Sequence, residues 1–261
     1  LVAAESSPRP ADSKEGAIED AIVYDHDPTT RLGGKVFGNV ICDFEKDAPG
    51  RNSHGGPVCM EFPNGRLVAF YTNTSDHNLD GWSEYSVSAD RGKTWEMYRK
   101  FDYSHKAYSR RPRRSAWVQE GLVTEKGTGV VFLSHWENDK RVGIVFMRSH
   151  DNGLTWSDAR PVDGEFIGAP AAVAVSGGMN YALFDCDGAR GPHVLYVSDD
   201  DGRNWRKQSE LPLAKPAWYG ALCVMGDGRL LAGAYVTADE DHLHYCISRD
   251  GGHSWSEPKR A

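Results

Sequence analysis

Between residues 51 and 261 the chain alternates short β-branched, aromatic and aliphatic runs with polar turns, and no stretch carries a helical period. The first set of runs is Gly56 to Phe62, Arg66 to Tyr71 and Ser83 to Ser88, with Pro63-Asn64-Gly65 as the turn between the first two. A second set covers Trp117 to Val123, Val130 to Ser134 and Val142 to Arg148, and a third covers Ala169 to Val175, Tyr181 to Phe184 and His193 to Ser198. The fourth is Gly220 to Val224, Leu230 to Tyr235 and Leu243 to Ser248. A further run after the tryptophan that closes each set predicts four strands per unit.

Each third run ends in the same box. The segments Ser88 to Trp95, Ser149 to Trp156, Ser198 to Trp205 and Ser248 to Trp255 align without gaps, at spacings of 61, 49 and 50 residues. The pattern is a hairpin turn: an Asp carboxylate (Asp90, Asp151, Asp200, Asp250) to accept backbone N–H groups, a Gly to supply positive φ, and a Trp to pack beside the turn. Four-stranded units of about 50 residues repeated in register predict an all-β fold, a β-propeller with four to five blades in this chain. Predicted units run over about 51–101, 115–162, 168–212 and 218–261, with partial strands in 21–44 and a flexible arm over 1–20. One domain over 21–261 is expected.

These boxes resemble the Asp boxes, or BNR repeats, of the sialidase (neuraminidase) superfamily, over about residues 50 to 261. The resemblance implies a six- or seven-bladed propeller in which the boxes are structural turns between the third and fourth strands of each blade. Six or seven blades need about 300 residues or more at this period. The chain is therefore either an unusually small ring or part of a larger one.

Composition narrows the function. With 30 basic and 37 acidic side chains and a formal charge of -7, the chain lacks the basic balance of a nucleic-acid binder. No run of 18 apolar residues offers a membrane span. Five cysteines without a C-x-x-C pair signal neither a zinc site nor a disulfide framework, so no metal and no cofactor is expected. The opening LVAAESSPRPADSKEG reads as the tail of a signal peptide followed by a polar arm, which points to a secreted or periplasmic protein. Oligomeric state is left open.

In an up-and-down blade, the turns joining strands 1 and 2 and strands 3 and 4 share one face with the boxes. The opposite face then shows residues just before strand 1 and just after strand 2, a set rich in acids, bases and aromatic rings as carbohydrate sites are. Catalytic candidates there are His54, Asp76, His77, His135 and Tyr219; substrate-binding candidates are Arg51, Arg113, Arg114, Trp117, Trp136, Arg190, Trp218 and His242. Arginines of the run Arg110 to Arg114 suit a carboxylate or sulfate through paired hydrogen bonds.

The sialidase resemblance implies a carboxylate-binding arginine triad, a Tyr nucleophile and an Asp acid/base. Pro57 matches the family's Arg-x-Pro opening, but Gly55 stands where its first arginine would be, while Asp76 or Asp80 falls in the acid/base loop. The propeller polysaccharide lyases, such as ulvan and rhamnose-glucuronate lyases, look similar in having one His opening an inner strand and another after strand 2, the places of His54 and His77, 23 residues apart. Imidazoles titrate near neutrality and suit the removal of a proton beside a uronate. The expected function is thus a glycosidase acting on an acidic oligo- or polysaccharide, with a uronate lyase or a non-catalytic binding propeller as alternatives.

Overall fold

A computed structural model describes residues 53–74, 81–96, 99–138, 140–164, 167–186, 191–239 and 242–261, all within the compact unit Ile41–Ala261. The expected arm over 1–20 and the strands within 21–44 lie outside the described residues.

Among the described residues, four antiparallel sheets follow one another. The first contains β1 (Ser53–Glu61), β2 (Leu67–Thr74), β3 (Gly81–Ser88) and β4 (Arg99–Lys100). The second contains β5 (Ser109–Arg110), β6 (Arg113–Val123), β7 (Gly129–Glu137), β8 (Lys140–Ser149) and β9 (Arg160–Pro161). The third is β10 (Ile167–Ser176), β11 (Met179–Cys186), β12 (Val194–Ser198) and β13 (Arg206–Glu210); the fourth is β14 (Ala217–Val224), β15 (Leu230–Val236), β16 (His242–Ser248) and β17 (Lys259–Arg260). Each sheet is a propeller blade, and the innermost strands lie side by side, β6 on β1 and β10 on both β6 and β14.

Two details depart from the expected four strands and no helix. The short strand β5 adds a fifth to the second blade, and a six-residue helix α1 (Asp102–Ala107) precedes it. Six residues are too few to show a helical period in the sequence.

Every box builds the same cage. In the second, Ser149 Oγ donates to Asp151 Oδ1 at 2.8 Å and accepts from Gly153 N–H at 2.8 Å, while Thr155 donates its N–H (2.9 Å) and its hydroxyl (2.5 Å) to the carboxylate. The third and fourth repeat it with Asn204 and Ser254 in the place of Thr155. Two successive left-handed residues turn the chain, as at Asn152 (φ 59) and Gly153 (φ 79).

The boxes also join the blades. A Cβ on Gly202 would lie 2.6 Å from Val130 Cγ2, and one on Gly153 would lie 2.7 Å from Val68 Cγ2, so each of these glycines sits flush on the preceding blade. The box tryptophans follow: Trp156 meets Phe70 edge-on at 5.6 Å, and Trp205 meets Phe132 at 5.0 Å. These rings cap the apolar layers between the first and second and between the second and third blades.

Replacing Gly202 by Ala should lower stability by about 2–3 kcal/mol, since the methyl group meets Val130 and the backbone is left-handed. Gly143, with open space around its Cα, should accept Ala within about 0.5 kcal/mol; paired urea melts read both. Hydrogen bonds from the Thr94 and Ser254 side chains head the causes that hold Asp90 and Asp250 at about 2, below the ordinary 3.8. A depressed carboxyl stabilises above its unfolded pKa and stops doing so as pH falls through the folded value. Urea midpoints should therefore drop between about pH 4 and pH 2, and less steeply in Asp90→Asn.

Candidate functional site

The end of the second blade opposite its box gathers several of the expected site residues. Successive rungs of the β6–β7 ladder pair Arg114 with Glu137, Ser115 with Trp136, Ala116 with His135, and Trp117 with Ser134. This register places His135, Trp117, Trp136, Arg113 and Arg114 within a few rungs of one another, about 3.4 Å apiece.

The helix α1 completes the group. Ser104, fully buried, fixes it: its hydroxyl accepts Ser83 N–H at 2.7 Å and donates to the Ala116 carbonyl, while Ser83 Oγ accepts Val118 N–H at 2.9 Å. The neighbouring residue, Tyr103, reaches His135, with Oη 3.0 Å from Nε2 and ring centroids 5.6 Å apart. Burial lowers the His135 pKa and raises that of Tyr103, so the imidazole is neutral and the phenol protonated near pH 7. With the imidazole proton on Nδ1, Tyr103 donates to Nε2.

Around the pair, Trp117 Nε1 donates to Gly81 O at 3.3 Å, its ring lies 6.4 Å from that of Trp136, and the Arg141 guanidinium stacks 4.8 Å over Trp136. Arg114 bonds to Glu137 at 3.1 Å with both side chains exposed, while Arg113 pairs with Arg110 in the β5–β6 hairpin. One guanidinium, that of Arg141, thus lies on an aromatic face at this blade end, with Arg114 one rung away.

His54 sits on β1 opposite Asn73. Arg51, Asp76, His77 and Arg190 lie outside the described residues. Trp218, Tyr219 and His242 belong to the fourth blade, two blades along from His135. There His242 Nδ1 donates to the Asp239 carbonyl at 2.6 Å, and its Nε2 faces Arg260, so both ring nitrogens are engaged within the blade.

Two functional candidates escaped the sequence reading. Tyr103 lies in the insertion behind the 61-residue box spacing, where the other two are 49 and 50. Glu120 is an acid within an inner-strand apolar run, beside the register shift between Val118 and Glu120, and burial raises its pKa from 4.5 to about 7. The visible signals were the odd spacing and the lone acid.

The fold and this geometry place the chain among known proteins. The BNR repeat-like domain family matches residues 39–260. The chain belongs to that family. This BNR-repeat protein is similar in fold to a Hadza microbial sialidase (TM-score 0.60, 16% identity, 80% of this chain and 47% of that one). It is also similar to the NanB sialidase of Streptococcus pneumoniae (0.59, 14%, 83% and 53%) and to a leech intramolecular trans-sialidase (0.61, 14%, 91% and 55%). At such identities the likeness is one of fold, a sialidase-like β-propeller. The BNR-repeat chain spans about half the length of these three proteins. No curated protein matches it.

Glu120 gives a pH test. Its folded pKa lies above the unfolded one, so the folded state holds the proton more tightly, and that stabilisation is present below about pH 4.5 and lost as pH rises through about 7. Glu120→Gln should therefore be more stable than the parent at about pH 8, by about 2 kcal/mol, and equal to it at about pH 4, as read by thermal melts at both.

Proposed function

We propose that this is a glycan-active enzyme, a glycoside hydrolase acting on an acidic sugar at the face opposite the Asp boxes. The observation that carries the reading is the Tyr103–His135 contact at 3.0 Å on the blade end that also bears Arg113, Arg114, Trp117 and Trp136. Aromatic faces receive the apolar side of a sugar ring, and guanidiniums take its carboxylate.

In this reading Asp76 protonates the leaving oxygen as the glycosidic C–O bond breaks. Tyr103 gives its proton to His135, and its oxygen bonds to the anomeric carbon; water, deprotonated by Asp76, then displaces it and returns the phenol. Burial that keeps the phenol protonated at rest makes a neighbouring base necessary, and His135 is neutral and in place.

A second reading is favoured by the same pair. Neutral His135 removes the C5 proton of a uronate, an arginine neutralises the carboxylate, and Tyr103 gives its proton to the leaving oxygen as the C4–O bond breaks to leave a C=C. His54 and His77 serve the same elimination as the resemblance to propeller lyases implies.

Digestion of sialyllactose and of uronate polymers, followed by reducing-end release and ultraviolet absorbance together, separates the two. Hydrolysis gives reducing ends without new absorbance, and elimination gives both. Tyr103→Phe should cut kcat by about 100-fold or more with little change in KM and a small change in Tm. Asp76→Asn should cut turnover sharply in the hydrolase. Full activity in both variants would remove this site from the mechanism.

A further inference from the structure

The insertion that lengthens the first box spacing to 61 residues is also where the chain reverses its charge. Residues 106–114 hold five Lys and Arg side chains and no acid, in a protein of formal charge -7. The ladder turns this run into a row. Arg110 pairs with Arg113 across the β5–β6 hairpin, Arg114 pairs with Glu137 on β7, and Glu137 pairs with Lys140 on β8, with Arg141 on the next rung. Arg111 stands in the hairpin turn, and it is exposed, as is Lys140 at the far end of the row. Six cations thus face two acids here: Glu137, already bonded to Arg114, and Asp139, which the sequence places just before Lys140 and which lies outside the described residues.

The row suits a long ligand. Adjacent strands lie about 4.8 Å apart, so from β5 to β8 the cations span about 14 Å, more than one sugar ring covers. Neighbouring side chains hold the hairpin end: Arg110 Nε donates to Tyr108 Oη at 3.0 Å, and the Tyr108 ring packs against Trp82 of the first blade with centroids 5.2 Å apart. The rung of Arg114 lies two rungs, about 7 Å, from that of His135, so a chain bound along the row can set one of its units against the Tyr103–His135 pair. This blade is enclosed between two described neighbours, through β1 on one side and β10 on the other. A single exposed cation gains little in water, but several acting on one polymer add their effects, because each bound anion displaces counterions.

We propose that this row is a polyanion-binding rim, which takes successive carboxylate or sulfate groups of an acidic polysaccharide through Arg111, Arg114, Lys140 and their neighbours. The proposal rests on the glycan-active reading and adds to it the substrate class: a polymer acidic at successive units rather than a glycan ended by one acidic sugar.

The test titrates the whole chain with labelled polygalacturonate, dextran sulfate, neutral dextran, sialyllactose and a single-stranded DNA oligonucleotide, between about 50 and about 200 mM salt. At the lower salt at least one acidic polymer should bind at least about 100-fold tighter than sialyllactose or dextran, and raising the salt should weaken it about tenfold or more. The tighter of the two polymers names the acid group, carboxylate or sulfate. The double variant Arg111→Gln with Lys140→Gln should bind that polymer about tenfold more weakly and with a shallower salt dependence, while Tm changes little because both side chains are exposed.

Polymer affinity no higher than that for sialyllactose, or a double variant with the parent's salt dependence, would overturn the proposal. DNA bound as tightly as the better polysaccharide would also overturn it, by making the rim a nucleic-acid contact. Polymer binding that needs Arg111 and Lys140 in a protein without turnover would sink the catalytic reading and leave the rim standing. Cleavage of sialyllactose that is lost in Tyr103→Phe, without any preference for acidic polymers, would do the reverse.

Discussion

The structure depends on one carboxylate used four times. In each box the Asp accepts the serine hydroxyl together with the backbone N–H and side-chain donor of the residue four places on, so a sharp, partly left-handed turn is held by charge-assisted bonds rather than by burial. The turn can then afford a glycine with no clearance, and the missing Cβ is what lets one blade close on the next. Because the boxes occupy the turns at one end of the blades, the other end is released from structural duty and can hold polar groups that packing alone would not tolerate.

The proposed function sets an electrostatic problem for an acidic protein, because a net charge of -7 repels an acidic sugar over long distances and leaves recognition to local groups. Arg114 and Arg141 stand on adjacent rungs at that other end, with Arg113 next in the chain. The exposed bond between Arg114 and Glu137 is worth little in water and can be exchanged for a ligand carboxylate at small cost. Stacked on Trp136, Arg141 is held as a flat charged plate instead.

Fold and site were legible in the sequence to different depths. The serine of each box pairs across its blade with Leu67, Gly129, Asn180 or Leu230, and a pattern so local writes its register directly into the chain. Residues on the blade ends followed by topology, which is how His135, Trp117 and Trp136 could be named together. Tyr103 could not be reached that way: α1 is too short to show a period, and its seat depends on Ser83 and Ala116, 21 and 12 residues from Ser104. Asp185 bonds the Gly220 N–H 35 residues away, a contact that no local pattern shows. Pattern reveals what repeats, whereas contacts that occur once have to be seen.

The seating of the second, third and fourth boxes on the preceding blade gives the chain a direction. Trp156 rests on Phe70 and Trp205 on Phe132, each in the layer of the blade before it. The blades therefore behave as a row of coupled units with nearest-neighbour terms, in which order spreads from a formed blade to the next and a loosened box unseats the core of the blade before it. For a protein translated from its N-terminus, that polarity runs in the order of synthesis.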